Sequence, residues 1–195
     1  LAFLAKAVGE ANGNEKAKKF DLVRELSIVA QSIESTLSEK ELIEEKVRGL
    51  LETTRNAFYI GRGQDYYVVM EASLKLKEIS YIQCEGFAAG ELKHGTISLI
   101  EDGTPVIALI SDNPTVASHT RGNISEVVAR GANALTIVEE GIEKEGDDII
   151  INKVHPYLSS ISMVIPTQLI AYYASLHRGL DVDKPRNLAK AVTVE

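Results

Sequence analysis

The sequence has little that would support a disulfide framework, a nucleic-acid surface or a membrane span. Its single cysteine, Cys84, excludes an intramolecular disulfide and predicts a reducing, cytoplasmic location. With 21 Lys and Arg against 28 Asp and Glu, the net charge is −7, which argues against nucleic acid because phosphate contacts need clustered cations. The opening apolar run, residues 1–8, contains Lys6 and is far shorter than the about 20 residues of a membrane-spanning helix. It also lacks a signal-peptide pattern.

The composition is that of a globular protein. Such a protein can still bind a small anionic ligand at a place where its cations cluster. The chain has 195 residues, of which 45% are hydrophobic and 25% charged, enough for one domain that buries roughly 70% of its unfolded surface. The sequence begins with Leu1, partway into a predicted helix. We interpret it as a piece of a longer polypeptide with a natural C-terminus.

The first 54 residues have helical periodicity. Residues 1–9 predict the end of a helix, and residues 17–37 and 39–54 predict two amphipathic helices. Ser38 followed by Glu41 predicts a capping box at the start of the second of these.

From residue 55 onward, short apolar runs alternate with helical stretches. The predicted strands are 57–60, 105–110, 134–138 and 148–151. The predicted helices are 65–81, a shorter one that follows a break at Gly86 and ends at Gly95, 114–130, and 159–177, where Pro166 kinks the helix or delays its start. Strands that alternate with helices predict parallel βαβ units. We therefore expect an α/β fold of three layers, α/β/α, with a central, mainly parallel sheet preceded by helices.

Polar side chains on the helix 65–81 form a possible reactive stripe. Glu71, Lys75 and Glu78 share one face, and a solvated surface with a Glu71–Lys75 ion pair, worth a few tenths of a kcal/mol, is its ordinary interpretation. His94 would lie at the end of the next helix, where the helix dipole favours the protonated imidazole. A simple C-terminal cap is the ordinary role of such a histidine.

The C-terminal residues gather cations in an otherwise acidic chain. Lys184, Arg186 and Lys190 lie within seven residues, and neighbouring like charges lower the pKa of an amine, whose neutral form attacks carbonyls. A basic tail that keeps the terminus soluble is the alternative.

Cys84 has an apolar context and is interpreted as a small buried residue rather than a nucleophile. The turn at residues 61–63 precedes a helix and is either an anion site or a plain connection.

Two segments resemble a known enzyme family. The run KLKEISYIQCEGFAAGELKHG, from Lys75 to Gly95, and the tail PRNLAKAVTVE, from Pro185 to Glu195, closely resemble the isomerase half of glutamine–fructose-6-phosphate aminotransferases. In that family the isomerase half contains two similar sugar-isomerase (SIS) domains and a C-terminal tail. The resemblance, which covers most of the chain, implies that residues 1–54 end the first SIS domain and its linker. Residues 55–183 would form the second SIS domain, and residues 184–195 the active-site tail.

The resemblance also implies roles for single residues. Glu78 resembles the base that moves a proton between C1 and C2 of the sugar, and Lys75 resembles an assisting cation beside it. His94 resembles the histidine that helps to open the sugar ring and that comes from the neighbouring subunit. Lys190 resembles the lysine that forms a Schiff base with the open-chain ketose, and Ala189 resembles a residue whose backbone meets the sugar. The reaction of the family needs no metal and no organic cofactor.

Parts of the family's machinery are missing from this sequence. It has neither the Ser/Thr-rich loop of the first SIS domain that grips the phosphate nor the N-terminal cysteine of the glutaminase domain. The resemblance therefore implies a homodimeric enzyme that binds fructose 6-phosphate or glucosamine 6-phosphate, of which this chain alone is inactive. One alternative is a non-catalytic SIS module that senses a sugar phosphate for a transcription regulator. Another is a simple phosphosugar isomerase that uses no amine donor.

Overall fold

The computed structural model describes residues 1–111 and 114–187. Four helices come first: Ala2–Ala11 (α1), Glu15–Lys19 (α2), Leu22–Ser38 (α3) and Lys40–Leu51 (α4). The remaining elements are Asn56–Gly61 (β1), Gln64–Ser80 (α5), Gln83–Ala88 (β2), Pro105–Ile110 (β3), Pro114–Val128 (α6), Asn133–Glu139 (β4), Ile149–Ile151 (β5) and Ser159–His177 (α7). Short 3-10 turns lie at Thr96–Leu99 and Pro156–Leu158.

The five strands form one parallel sheet in the order β2-β1-β3-β4-β5. The chain passes from β1 through α5 to the edge strand β2, and then returns across β1 to β3. This reversal puts the topological switch point at the carboxyl ends of β1 and β3, where open α/β sheets usually bind ligands. The predicted α/β fold with a parallel sheet is confirmed.

Alternate residues of the central strands face two separate helical layers. Tyr59 and Ile107 pack with the buried sides of α4, α5 and α7. Phe58 and Val106 face the opposite layer, which includes Val127 of α6. Strands buried on both faces read as continuous apolar runs, and this pattern gives the three-layer architecture.

The N-terminal helices are packed on α7, near the other end of the chain. Val47 and Leu51 of α4 are fully buried in the same core as α7. Glu44 lies 3.2 Å from the His177 ring, and the Arg178 guanidinium donates to carbonyl oxygens that follow α4. Helix α4 therefore shares one core with the sheet, whereas Leu22 and Val29 of α3 lie in a separate cluster with Val154 and Leu158.

Two predictions about these helices are wrong. The expected helix 17–37 is divided into α2 and α3, because the Asp21 carboxylate accepts a hydrogen bond from the Arg24 amide at 3.1 Å and starts a new helix. The expected capping box is absent, since Ser38 is the last residue of α3 and its hydroxyl donates to the Ser35 carbonyl oxygen. Glu39 is the N-cap of α4 and makes no side-chain cap.

The predicted short helix that ends at Gly95 is also wrong. Gly86 is not a break but a member of β2, and turns follow from residue 89 to residue 95. A Cβ at Gly86 would lie 2.6 Å from the Val69 carbonyl oxygen, so glycine is required because the strand crosses the backbone of α5 closely. Pro166 lies inside α7, which starts at Ser159 and is not delayed. No helix among residues 1–111 and 114–187 has the length and apolar character to cross a membrane.

Candidate functional site

A carboxylate and an amine are paired near the carboxyl end of α5. Lys75 Nζ donates to Glu78 Oε2 at 2.7 Å, and Glu71 Oε1 lies 3.6 Å from the same amine. The hydrogen bond that Lys75 donates to Glu78 raises the pKa of Lys75 although burial opposes it. The closer partner of Lys75 is thus Glu78 rather than Glu71. With 38% of the Lys75 side chain and 26% of the Glu78 side chain exposed, a ligand can reach this pair.

The helix α5 fixes this pair by burying its other face. Val69, Ala72 and Leu76 are fully buried against the sheet, as their helical spacing predicts. The helix then ends at Tyr81, which adopts the left-handed conformation with φ of 60°. A carboxylate on a packed helix is held more rigidly than one on a loop.

The beginning of the tail lies against this end of α5. The Asp181 carboxylate accepts the amides of Asp183 and Lys184, at 2.9 and 3.2 Å, in a turn after α7. The Arg186 amide then donates to the Tyr81 hydroxyl at 2.8 Å, and the Arg186 guanidinium carbon is 4.0 Å from the centre of the Tyr81 ring. The tail therefore starts beside the helix end that carries Glu78.

Two of the residues assigned to the site, Ala189 and Lys190, lie outside the described residues. The described part of the tail ends at Asn187. The roles of Ala189 and Lys190 stay predictions.

His94 follows the carboxyl end of β2, whereas Glu78 comes before the amino end of that strand. It is exposed in the turns that follow β2, where its amide donates to the Glu91 carbonyl oxygen at 3.0 Å. No helix ends there, so the helix-dipole argument for its protonation was wrong. Glu78 precedes the start of β2 and His94 follows its end, so the two side chains belong to opposite ends of a six-residue strand that is about 20 Å long. Within one copy of the chain, the structure does not bring His94 and Glu78 together.

A cleft that no sequence pattern predicts lies at the amino ends of β1 and β2. It has a volume of about 850 Å³, and its lining includes three arginines, Arg55, Arg178 and Arg186, against one carboxylate, Glu52, together with Tyr81. Arg178 is held by carbonyl oxygens, whereas Arg55 and Arg186 pair with no carboxylate in the described part of the chain. Only the fold brings Arg55 to Arg178 and Arg186, since Arg55 is far from both in the sequence. The local charge favours an anion in a chain that is acidic overall.

The switch point is less suited to an anion. Arg62 donates from two nitrogens to Asn123 Oδ1 of α6, at 3.3 and 3.0 Å. The buried Asp65 carboxylate accepts the Ser111 amide at 2.8 Å and the Ser111 hydroxyl. A negative charge already in the first turn of α5 repels a second anion. The structure therefore favours the plain strand-to-helix connection for the turn at residues 61–63.

Cys84 is inert by its surroundings. It is fully buried in β2, and burial raises its pKa to about 12. The interpretation as a buried residue rather than a nucleophile is confirmed. Among the residues that the structure describes, no cluster of three or more His, Cys, Asp or Glu side chains is arranged to hold a metal ion.

Solved structures share this fold. The C-terminal domain of glucosamine-fructose-6-phosphate aminotransferase from Francisella tularensis is 28% identical, with a TM-score of 0.75 over 83% of this chain and 46% of that one. Glucosamine-6-phosphate deaminase from Thermotoga maritima is 20% identical, with a TM-score of 0.68 over 98% of this chain and 55% of that one. The second likeness shows the fold alone.

Relatives of known name match over the entire sequence. All 195 residues align with glutamine–fructose-6-phosphate aminotransferases, at 82% identity for Streptococcus mutans and 84% for Streptococcus agalactiae. The chain spans 32% of the length of these relatives. The model of the SIS domain matches residues 50–178. Since that match covers more than half of the sequence, the chain belongs to the SIS domain family.

Proposed function

We propose that this chain is the second SIS domain and C-terminal tail of a glutamine–fructose-6-phosphate aminotransferase. That enzyme makes glucosamine 6-phosphate from fructose 6-phosphate and glutamine-derived ammonia. The observation that carries the proposal is the identity of 82 to 84% with enzymes of this name across all 195 residues. Because the chain spans 32% of their length, the activity belongs to a longer protein, and this chain supplies part of the site.

The geometry of α5 supports Glu78 as the base that moves a proton between C1 and C2. Such a base needs a carboxylate that substrate can reach and that stays in one position, and Glu78 meets both conditions. The Lys75 amine, 2.7 Å from Glu78, would stabilise the negative charge that develops on the enolamine-like intermediate. Neither role requires a metal ion.

The docked start of the tail supports Lys190 as the lysine that forms the Schiff base. Its amine would add to the C2 carbonyl of the open-chain ketose, and water would leave. Lys190 is three residues after Asn187, so its Cα is at most about 11 Å from that of Asn187. The backbone of Ala189 would contact the sugar on the same approach. A tail of this length would allow Lys190 to reach the Glu78 end of α5.

The distance between His94 and Glu78 supports a site shared by two subunits. Their places at opposite ends of a strand about 20 Å long argue against His94 acting on a sugar that Glu78 of the same copy deprotonates. We therefore propose a homodimer in which His94 opens the sugar ring in the partner's site.

The test is Glu78→Gln in the full-length enzyme. The amide keeps the shape of the side chain but accepts no proton, so exchange of solvent isotope into C1 of the sugar should fall by at least a hundredfold. Binding of fructose 6-phosphate should remain. Glu85→Gln removes an exposed carboxylate from β2 and serves as the control with near-normal exchange. Exchange at the normal rate in Glu78→Gln, or isomerisation without any use of ammonia, would contradict the proposal.

A further inference from the structure

Tyr81 occupies a backbone position that usually belongs to glycine. It follows α5 with φ of 60° and ψ of 18°, and its amide donates to the Lys77 carbonyl oxygen at 3.2 Å. Glycine closes helices in this way because it has no Cβ to strain the left-handed conformation. A tyrosine at this position strains the backbone, because its Cβ disfavours the left-handed conformation. Backbone strain of this kind is typical of functional positions.

The side chain of Tyr81 holds one residue of the tail by two different groups. Its hydroxyl accepts the main-chain amide of Arg186 at 2.8 Å, which fixes the path of the backbone. Its ring lies against the Arg186 guanidinium, with 4.0 Å between the guanidinium carbon and the ring centre. No carboxylate within residues 1–111 and 114–187 forms an ion pair with Arg186, so the ring has no competitor. We name these two contacts the Tyr81–Arg186 clasp.

The two residues of the clasp are close in the sequence to Glu78 and Lys190, the two reactive residues of the proposed function. Tyr81 is three residues after Glu78, and Lys190 is four residues after Arg186. Upstream, the turn at Asp181 guides the chain toward the clasp. The position of Arg186 therefore limits where the tail can bring its lysine.

We propose that Tyr81 is a positioning residue, which fastens the tail that carries Lys190 to the end of α5 that carries Glu78. This inference rests on the proposed function, because it assigns Tyr81 a part in the same site. In this proposal Tyr81 acts through the tail and not on the substrate.

The first test measures the clasp itself in the 195-residue chain. Tyr81→Phe keeps the ring and removes the hydroxyl, so the Arg186 amide should exchange its hydrogen about fivefold faster, as expected for one lost hydrogen bond. Tyr67→Phe removes a hydroxyl from an exposed tyrosine at the other end of α5 and should leave that amide unchanged. Unchanged exchange at Arg186 in Tyr81→Phe would overturn the clasp.

The second test measures positioning in the full-length enzyme. Tyr81→Phe and Arg186→Gln should each lower kcat about fivefold, and borohydride trapping of fructose 6-phosphate at Lys190 should fall in parallel. The KM for fructose 6-phosphate should stay within about twofold, because the phosphate is bound by the first SIS domain in this proposal. Arg186→Lys keeps a cation on the ring and should restore most of kcat.

The outcomes separate the two proposals. A normal kcat in Tyr81→Phe, or a loss of kcat that only follows a fall in Tm, would overturn the positioning role while the proposed function stands. A wild-type enzyme that forms no glucosamine 6-phosphate would overturn the proposed function and the positioning role together. In that case faster exchange at Arg186 in Tyr81→Phe would still support the clasp as a contact.

Discussion

At the level of single residues, two carboxylate–cation pairs of this chain differ in how far water reaches them. The Lys75–Glu78 pair, which we propose acts on substrate, is partly exposed. The Asp147 side chain is only 5% exposed, and two Arg121 nitrogens donate to it at 2.8 and 2.7 Å. Arg121 also donates to the Ile142 carbonyl oxygen. This second pair joins α6 to the loop before β5 and serves stability rather than chemistry.

Asp147 should make stability depend on pH. Burial opposes its ionisation, but the hydrogen bonds from Arg121 and from the Lys144 amide outweigh burial, so the pKa of Asp147 lies below its ordinary value. A lowered pKa stabilises the fold above the ordinary aspartate pKa of about 4, and this stabilisation is lost as pH falls through the folded pKa. Asp147→Asn should therefore cost roughly 3 kcal/mol at pH 7, and the cost should be smaller at pH 3, where the unfolded chain is already largely protonated at this position.

Urea denaturation at the two pH values checks this expectation. Asp183→Asn, which changes an exposed aspartate of the tail, is the control and should change stability little at either pH. A stability difference of the same size at pH 7 and pH 3 would show that Asp147 is not ionised in the way that its contacts predict.

Cys84 should resist alkylation until the chain unfolds. Its pKa of about 12 leaves roughly a thousandfold less thiolate at pH 8 than a free cysteine has, and its side chain is fully buried. Iodoacetamide at pH 8 should label the native protein hardly at all and the urea-unfolded protein fully, as read by mass spectrometry. Rapid labelling of the native protein would mean that β2 opens far more readily than a strand packed under α5 should.

At the level of elements, the close crossing of β2 and α5 is the most constrained contact. A Cβ on Gly86 would meet Val69 carbonyl atoms at 2.6 and 2.9 Å, and backbone cannot turn away as a flexible side chain can. Gly86→Ala should therefore destabilise the fold by about 2–3 kcal/mol in urea titrations. Gly122→Ala in α6, where nothing lies within 4 Å, should be neutral or stabilise by up to about 1 kcal/mol. A Gly86→Ala protein as stable as the wild type would exclude this tight crossing.

The elements also show which parts of the fold a sequence can predict. The run at residues 105–110 was predicted correctly because a strand buried on both faces is apolar throughout. The edge strand β2 was missed because its Gln83, Glu85 and Gly86 have low strand propensity, and its pairing with β1 depends on tertiary structure. The expected helix before Gly95 follows local propensity, which tertiary packing overrides.

In the candidate site too, local contacts were predictable from the sequence and long-range contacts were not. The stripe with Lys75 and Glu78 was predictable because residues three apart on a helix are neighbours. The contact between Tyr81 and Arg186 joins residues 105 positions apart, and no local pattern records it. The left-handed conformation of Tyr81 could not be predicted from the sequence either, since tyrosine rarely adopts it.

At the level of the whole molecule, the opposite locations of Glu78 and His94 predict complementation between inactive subunits. A full-length His94→Ala protein mixed with a Glu78→Gln protein should form hybrid dimers that each contain one intact site. Random exchange should restore roughly a quarter of the wild-type glucosamine 6-phosphate synthesis, because half of the dimers are hybrids and half of their sites are intact.

A double variant provides the control for this experiment. A protein with both Glu78→Gln and His94→Ala, mixed with Glu78→Gln alone, should recover nothing. No recovery in the first mixture, after subunit exchange has been demonstrated by native mass spectrometry, would contradict a shared site.

The 195-residue chain alone should bind fructose 6-phosphate weakly and form no product. The Ser/Thr-rich loop that grips the phosphate in the family is missing, and each charge-assisted hydrogen bond lost costs roughly 1.5–3 kcal/mol. Titration calorimetry should give an affinity lower by orders of magnitude than that of the full-length enzyme. Micromolar binding by the 195-residue chain would contradict a phosphate site outside it.

The packing of α4 on α7 also sets the order in which the domain is completed during synthesis. Leu51 of α4 meets its partner Arg178 only 127 residues later in the chain. At roughly 5–20 residues per second, the ribosome needs about 6–25 s to make that stretch. Throughout this interval the surfaces of α3 and α4 that pack on α7 lack that partner, so they are open to chaperones and to wrong associations. A nascent chain that stops between β5 and α7 would therefore lack the helix on which α3 and α4 pack.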